Sequence, residues 1–142
     1  MYYAGNATKI TGLSYRQLDN VVRNRLLQPS RGAAHGRGTV RGFSERDLIA
    51  LRLVKELLDA GHRLSPFMHM IRYVQHGRGL PPLDQLDGKV LVSNGREAHV
   101  VDGAKMNLSG TLQTRRMLHV VDLGAAAGHV HHRIQQVARK PK

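Results

Sequence analysis

The chain of 142 residues contains no cysteine. It can form neither a disulfide framework nor a thiolate zinc site, so its fold rests on packing alone and zinc-finger recognition is excluded. Long apolar runs are also missing. No stretch approaches the roughly 18 consecutive apolar residues of a spanning helix, and no basic start leads into an apolar leader segment. Catalytic signatures are absent too: there is no G-x-S-x-G and no P-loop, and a bare GRG is too short to cradle a nucleotide. Asp84, Asp87, Asp102 and Asp122 are scattered without the clustering that nuclease metal ions require, so no enzyme activity, resident metal or cofactor is expected. Acidic residues are scarce, with 10 Asp and Glu against 22 Lys and Arg.

What is present follows from that imbalance. A formal charge of +12 and a sequence pI near 11.1 create a field that attracts polyanions, and nucleic acid is the first candidate. A cytoplasmic, nucleoid-associated location without membrane contact is the corresponding expectation. Residues 1–80 hold 13 Lys and Arg against 5 Asp and Glu, so the first half dominates the field. The length fits one domain or two small ones. Two Gly and a Pro pair in "GRGLPP" (Gly77 to Pro82) cannot continue a helix. The expected organisation is therefore an N-terminal domain over 1–76, a linker over 77–88 and a small module over 89–142.

Helix punctuation is clear in the first half. Asn6 is placed to cap a short helix over Ala7 to Thr11, Gly12 breaks it, and Ser14 can cap a second helix from Tyr15. In that helix Leu18, Val21, Val22 and Leu26 share one face, whereas Tyr15, Arg16, Asp19, Asn20 and Arg23 fall elsewhere. Pro29 is expected to stop it. A Gly- and Arg-rich stretch from Arg31 to Phe43 suits a basic hairpin or loop. Ser44 with Asp47 then resembles a capping box, Gly61 suits a helix C-terminus, and Ser65-Pro66 opens a further helix to about His76.

Gly12-Leu13-Ser14 with Arg16 and Leu18, then Leu26-Leu27 and Pro29, "GTVRGFSERDL" and "LRLVKELLDAGHRL" together resemble the N-terminal winged helix-turn-helix of MerR-family transcriptional regulators. "YRQLD" (Tyr15 to Asp19) is similar to a group common in actinobacteria and their phages. The resemblance covers about residues 6–76. It implies that the second helix enters the major groove of double-stranded DNA and that the loop before the third helix forms a wing on the phosphate backbone. The implied site is Tyr15, Arg16, Asp19, Asn20 and Arg23 on the helix, with Arg31, Arg37, Thr39 and Arg41 in the wing.

The chemistry of these residues is compatible with those roles. Arg16 and Arg23 can neutralise phosphate or read guanine, Asn20 can pair with adenine, and Asp19 can accept from cytosine N4. Tyr15 can donate to a phosphate or rest on a thymine methyl. Departures from the family pattern are also visible. Asn20 and Val21 stand where two aromatics are common, Phe43 replaces a tyrosine, and Arg25 stands where a glycine is expected before the two leucines. Unless Asn24 takes that role, Arg25 must adopt a left-handed conformation at a cost of about 1 kcal/mol.

The second half gives fewer signals. Lys89 to Val92 and Ala98 to Val101 flank Ser93-Asn94-Gly95, a hairpin signature. Asp102 to Leu112 reads as a short helix or an irregular connection, Met117 to Leu123 as a third strand, and Ala125 to Lys140 as a final helix. The fold class expected for the whole is α+β, a mainly α winged helix-turn-helix followed by a small α+β module. His129, His131 and His132 lack convergent carboxylates, and a solvated helix face is expected of them. A helix from Pro66 to His76 spans only about 16 Å, too short for the long dimerisation helix typical of MerR proteins. A homodimer or higher assembly on DNA would therefore need the C-terminal module or this short helix. A DNA-bending excisionase or an antitoxin-type binding protein are alternatives that the sequence leaves open, and it names no effector.

Overall fold

In the computed structural model, which describes residues 1–32, 41–107 and 118–139, local signals set most helix starts. Helix α1 (Ala4–Thr11) ends at Gly12, whose φ of 86° is left-handed and easy only for glycine. Its start differs from the expectation: Asn6 lies inside the helix, and Tyr3 stands at the N-cap without a side-chain bond. The reason is a strand unseen in the sequence. β1 (Tyr2–Tyr3) pairs antiparallel with β2 (Gly42–Phe43), which carries the chain directly into the helix.

Helix α2 (Tyr15–Arg23) opens with a full capping box. Ser14 Oγ accepts from Gln17 N at 3.0 Å, and Gln17 Oε1 accepts from Ser14 N at 2.9 Å. It ends well before Pro29. Leu26 N donates to Val21 O and Arg25 N to Val22 O, each at 3.0 Å, and Arg25 has a φ of 57°. This double closure is a Schellman motif, and Arg25 occupies the left-handed position that glycine normally fills.

Helix α3 (Glu45–Asp59) starts at the Ser44–Asp47 capping box and stops at left-handed Gly61, both as the sequence predicts. Helix α4 (Met68–His76) follows a 3-10 turn over Ser65–Phe67; Ser65 lies inside that turn and caps nothing. The C-terminal carbonyls of α4 are satisfied by a cation. Arg46 donates to the backbone oxygens of Tyr73, Val74 and Gly77, a favourable place for positive charge.

The second half forms an antiparallel sheet in the order β4 (Ala98–Asp102), β3 (Lys89–Ser93), β5 (His119–Asp122), followed by α5 (Leu123–Arg139). The Asn-Gly hairpin is there, with Asn94 Oδ1 accepting from Arg96 N and Glu97 N across a four-residue loop. Asp122 Oδ1 accepts from Ala125 N and so caps α5. Residues 103–105 form a 3-10 turn, and the remainder of the expected connection from 108 lies outside the described residues.

One continuous core runs through both halves. Ile10, Leu18, Val22, Leu27, Phe43, Leu48, Leu51 and Ile71 from the first half join Leu86, Leu91, Leu123 and Val130 from the second. Leu86 lies within the segment read as a linker and is fully buried. Helix α5 packs on α1 and α3. Its approach to the 86–88 backbone requires Gly124, where a Cβ would lie 2.5 Å from Leu86 O.

Candidate nucleic-acid interface

The two faces of α2 differ completely. Leu18, Val21 and Val22 are buried in the core, while Tyr15, Arg16, Asn20 and Arg23 are exposed, Tyr15 by 67%. A buried stripe on one side fixes the helix, so its opposite face is presented rigidly. The capping box at Ser14 sets where the face begins and the Schellman closure at Arg25 where it ends.

Asp19 is the exception on this face. Its Oδ2 pairs with Arg23 Nε at 2.8 Å and its Oδ1 with Arg41 Nη1 at 2.9 Å, so each carboxylate oxygen holds one guanidinium. The first pair follows the i,i+4 spacing within α2, whereas the second joins the helix to Arg41, 22 residues further on and just before β2. Asp19 and Arg41 are mostly covered, with side chains 27% and 19% exposed. The Arg41 hydrogen bond is the main reason that the Asp19 carboxyl sits below its usual pKa; desolvation opposes it, and Arg23 adds to it.

The two ends of the Gly- and Arg-rich stretch meet on one carboxylate. Asp47 Oδ2 accepts from Ser30 N (3.1 Å), Ser30 Oγ (2.5 Å) and Ser44 N (2.9 Å). Ser30 precedes the Gly- and Arg-rich stretch and Ser44 follows it, so both ends are pinned at the same buried side chain. Arg31 exchanges backbone hydrogen bonds with Gly42, and Gly42 also pairs with Tyr3. A Cβ at Gly42 would meet the Met1 side chain at 2.6 Å and Arg31 Cβ at 3.1 Å, so a larger residue there would have to displace Met1. Arg31 Nη1 also donates to Tyr3 Oη at 3.2 Å. Phe43 is completely buried and anchors the exit strand.

The structure thus places Tyr15, Arg16, Asp19, Asn20 and Arg23 on α2 and Arg31 and Arg41 at the two ends of the Gly- and Arg-rich stretch beside it. Arg37 and Thr39 lie outside the described residues. Reading by sequence missed three contributors: Tyr3, the second role of Asp47, and Ser30. Only Asp47 had a local signal, and that signal explains the cap but not the wing.

A family model described as MerR HTH family regulatory protein matches residues 2–74, about half of the chain. The chain belongs to this family. Uncharacterized HTH-type transcriptional regulators of Mycobacterium bovis and of two strains of Mycobacterium tuberculosis are each 33% identical to it over 105 residues. The match covers 71% of this chain and 46% of each relative, so the chain spans about half the length of the relatives it matches. In this MerR-family chain the expected glycine is replaced by Arg25 without loss of the turn. The α+β class expected for the whole chain also holds.

Of the histidines of the C-terminal helix, His132 is exposed as expected, whereas His129 and His131 are partly covered by neighbouring helices. His131 Nε2 lies 2.6 Å from Glu45 Oε1 on α3, His132 Nε2 contacts Gln136 Nε2 at 3.1 Å, and His129 hydrogen-bonds the Ile10 backbone. They turn to three different partners. Among the described residues no group of three metal-ligating side chains converges, and no helix is long and apolar enough to cross a membrane.

Proposed function

We propose that this chain binds double-stranded DNA sequence-specifically and acts as a transcriptional regulator, with α2 in the major groove and the wing on the adjacent backbone. The observation that carries the reading is the outward face of α2, with Tyr15, Arg16, Asn20 and Arg23 beside an arginine-bearing wing base, on a helix whose other face is locked into the core. Arg16 and Asn20 read base edges, Tyr15 contacts a phosphate or a thymine methyl, and Arg23, Arg31 and Arg41 contribute to phosphate neutralisation. Arg37 and Thr39 extend the same role along the wing. Asp19 orients the two arginines that it holds.

The division into a DNA-binding region over 1–76, a joining segment over 77–88 and a C-terminal module over 89–142 belongs to the same proposal, as do a cytoplasmic, nucleoid-associated location and a homodimer or higher assembly on DNA. A monomer mass in light scattering at high protein concentration would remove the dimer.

Selection of bound sequences from a random duplex library tests the reading, with Arg16→Ala and Arg41→Ala run beside the wild type. Two half-sites about one helical turn or a multiple apart are the expected result. Arg16→Ala should relax preference at one base position and cost about 1 to 3 kcal/mol on the selected site. Recovery of no motif, with binding lost at moderate salt, would overturn specific recognition and leave charge-driven association.

A further inference from the structure

The ion triad at the foot of the wing has a composition that plain DNA affinity does not call for. Two arginines within reach of a phosphate backbone would bind it most tightly if both were unopposed. Instead a carboxylate sits between them, with one oxygen on Arg23 and the other on Arg41. Three charged groups therefore present a net charge of one instead of two. Asp19 also lies on the presented face of α2, where it repels phosphate directly.

The contact is not an incidental surface pair. Asp19 and Arg41 are both mostly covered, and their 2.9 Å bond joins residues 22 apart in sequence; the 2.8 Å bond to the more exposed Arg23 lies within α2. Bonds between ionised partners in such a setting are stronger than exposed pairs. A phosphate must compete with Asp19 for either guanidinium.

We propose that Asp19 is a specificity-determining positioning residue: it holds Arg23 and Arg41 in an intramolecular pairing that DNA of arbitrary sequence must displace, and so suppresses non-specific binding. This rests on the DNA-binding reading above. On a preferred sequence, base contacts from Arg16 and Asn20 supply affinity that does not depend on freeing the two arginines. On an arbitrary sequence phosphate neutralisation is almost the whole of binding, so the masked charge is felt in full.

The size of the effect follows from counterion release. One masked charge corresponds to about 0.9 in the slope of log affinity against log salt, which at 0.1 M salt is roughly an eightfold change. The test uses the full chain and two fluorescent duplexes of equal length, one scrambled and one carrying the sequence recovered by library selection, with anisotropy titrations across a salt series. Asp19→Asn and Asp19→Ala are compared with the wild type, and Asp84→Asn, an exposed carboxylate in the 3-10 turn at residues 83–85, serves as the generic charge control.

Both Asp19 variants should bind the scrambled duplex roughly eightfold more tightly at 0.1 M salt, with a slope steeper by about one, and their preference for the selected duplex should fall. Asp84→Asn should change neither by as much as half. Equal shifts in all three variants would reduce the effect to net charge and overturn the proposal. Unchanged scrambled-duplex binding in the Asp19 variants would overturn it as well, and so would loss of the folded state in both, since the carboxylate would then be structural. A wild type that binds neither duplex even at low salt would instead bring down the DNA-binding reading, and this inference with it.

Discussion

Gln75 in α4 donates its Nε2 to Asp47 Oδ1 at 2.9 Å, and through that one carboxylate the fourth helix is tied to Ser30 and Ser44 at the two ends of the Gly- and Arg-rich stretch. The same amide also donates to Gln28 O at 2.5 Å, so Gln75 is buried with its polar group satisfied. A buried carboxylate with four donors on it is stabilising as a set and costly to break singly. Asp47→Ala should therefore leave Ser30, Ser44 and Gln75 short of acceptors and destabilise the protein by about 3 kcal/mol, combining a lost cap with unsatisfied buried donors. Urea denaturation followed by circular dichroism measures it. A loss under about 1 kcal/mol would mean that water replaces the carboxylate at no real cost.

Arg25 offers a change in the opposite direction. Its φ of 57° is strained for a residue with a Cβ, and the side chain is exposed. Arg25→Gly should stabilise the fold by about 0.5 to 1 kcal/mol, the relieved left-handed strain outweighing the greater freedom of glycine in the unfolded chain. The denaturation midpoint should rise with the slope unchanged.

Two glycines of α5 should respond with opposite signs to one substitution. Gly128 faces open space, so Gly128→Ala should gain about 0.5 to 1 kcal/mol from helix propensity. At Gly124 the new methyl would lie 2.5 Å from Leu86 O and 2.9 Å from Gly88 N, and Gly124→Ala should destabilise. Thermal melts of the two variants beside the wild type provide the comparison. Destabilisation by both would show that the exposed face of α5 is covered in solution.

His129 gives the contact between α5 and the first helices a pH dependence. Desolvation is the main cause of its lowered pKa, and Arg52 from α3 with Arg133 and His132 from α5 push the same way; the hydrogen bond to the Ile10 backbone opposes them. The folded pKa therefore lies below the ordinary value of 6.5, and the unfolded chain binds the proton more readily. This contribution to stability is complete above pH 6.5 and is lost as pH falls through the folded pKa. Denaturation midpoints at pH 7.5 and 5.5 should differ more in the wild type than in His129→Gln. Equal differences in the two would remove His129 from the acid response.

Much of this protein was legible in the sequence because its instructions are local. Ser14 with Gln17, Ser44 with Asp47, Gly12, Gly61 and the Asn94-Gly95 turn act within a few residues of one another, so helix starts, stops and the hairpin follow from spacing and backbone sterics. The buried stripe of α2 defined its outward face in the same way, and the order of motifs pointed to the family. Other features needed the chain to meet itself. The strand at Tyr2–Tyr3 exists only because Gly42–Phe43 lies beside it. Asp19 became a clamp when Arg41 arrived from beyond the Gly- and Arg-rich stretch, Asp47 became an anchor when Ser30 and Gln75 did, and His129 and His131 met α1 and α3. A hydrophobic period or a cap is written in neighbouring residues, whereas the partner of a buried or charged group is chosen by whichever distant element packs against it.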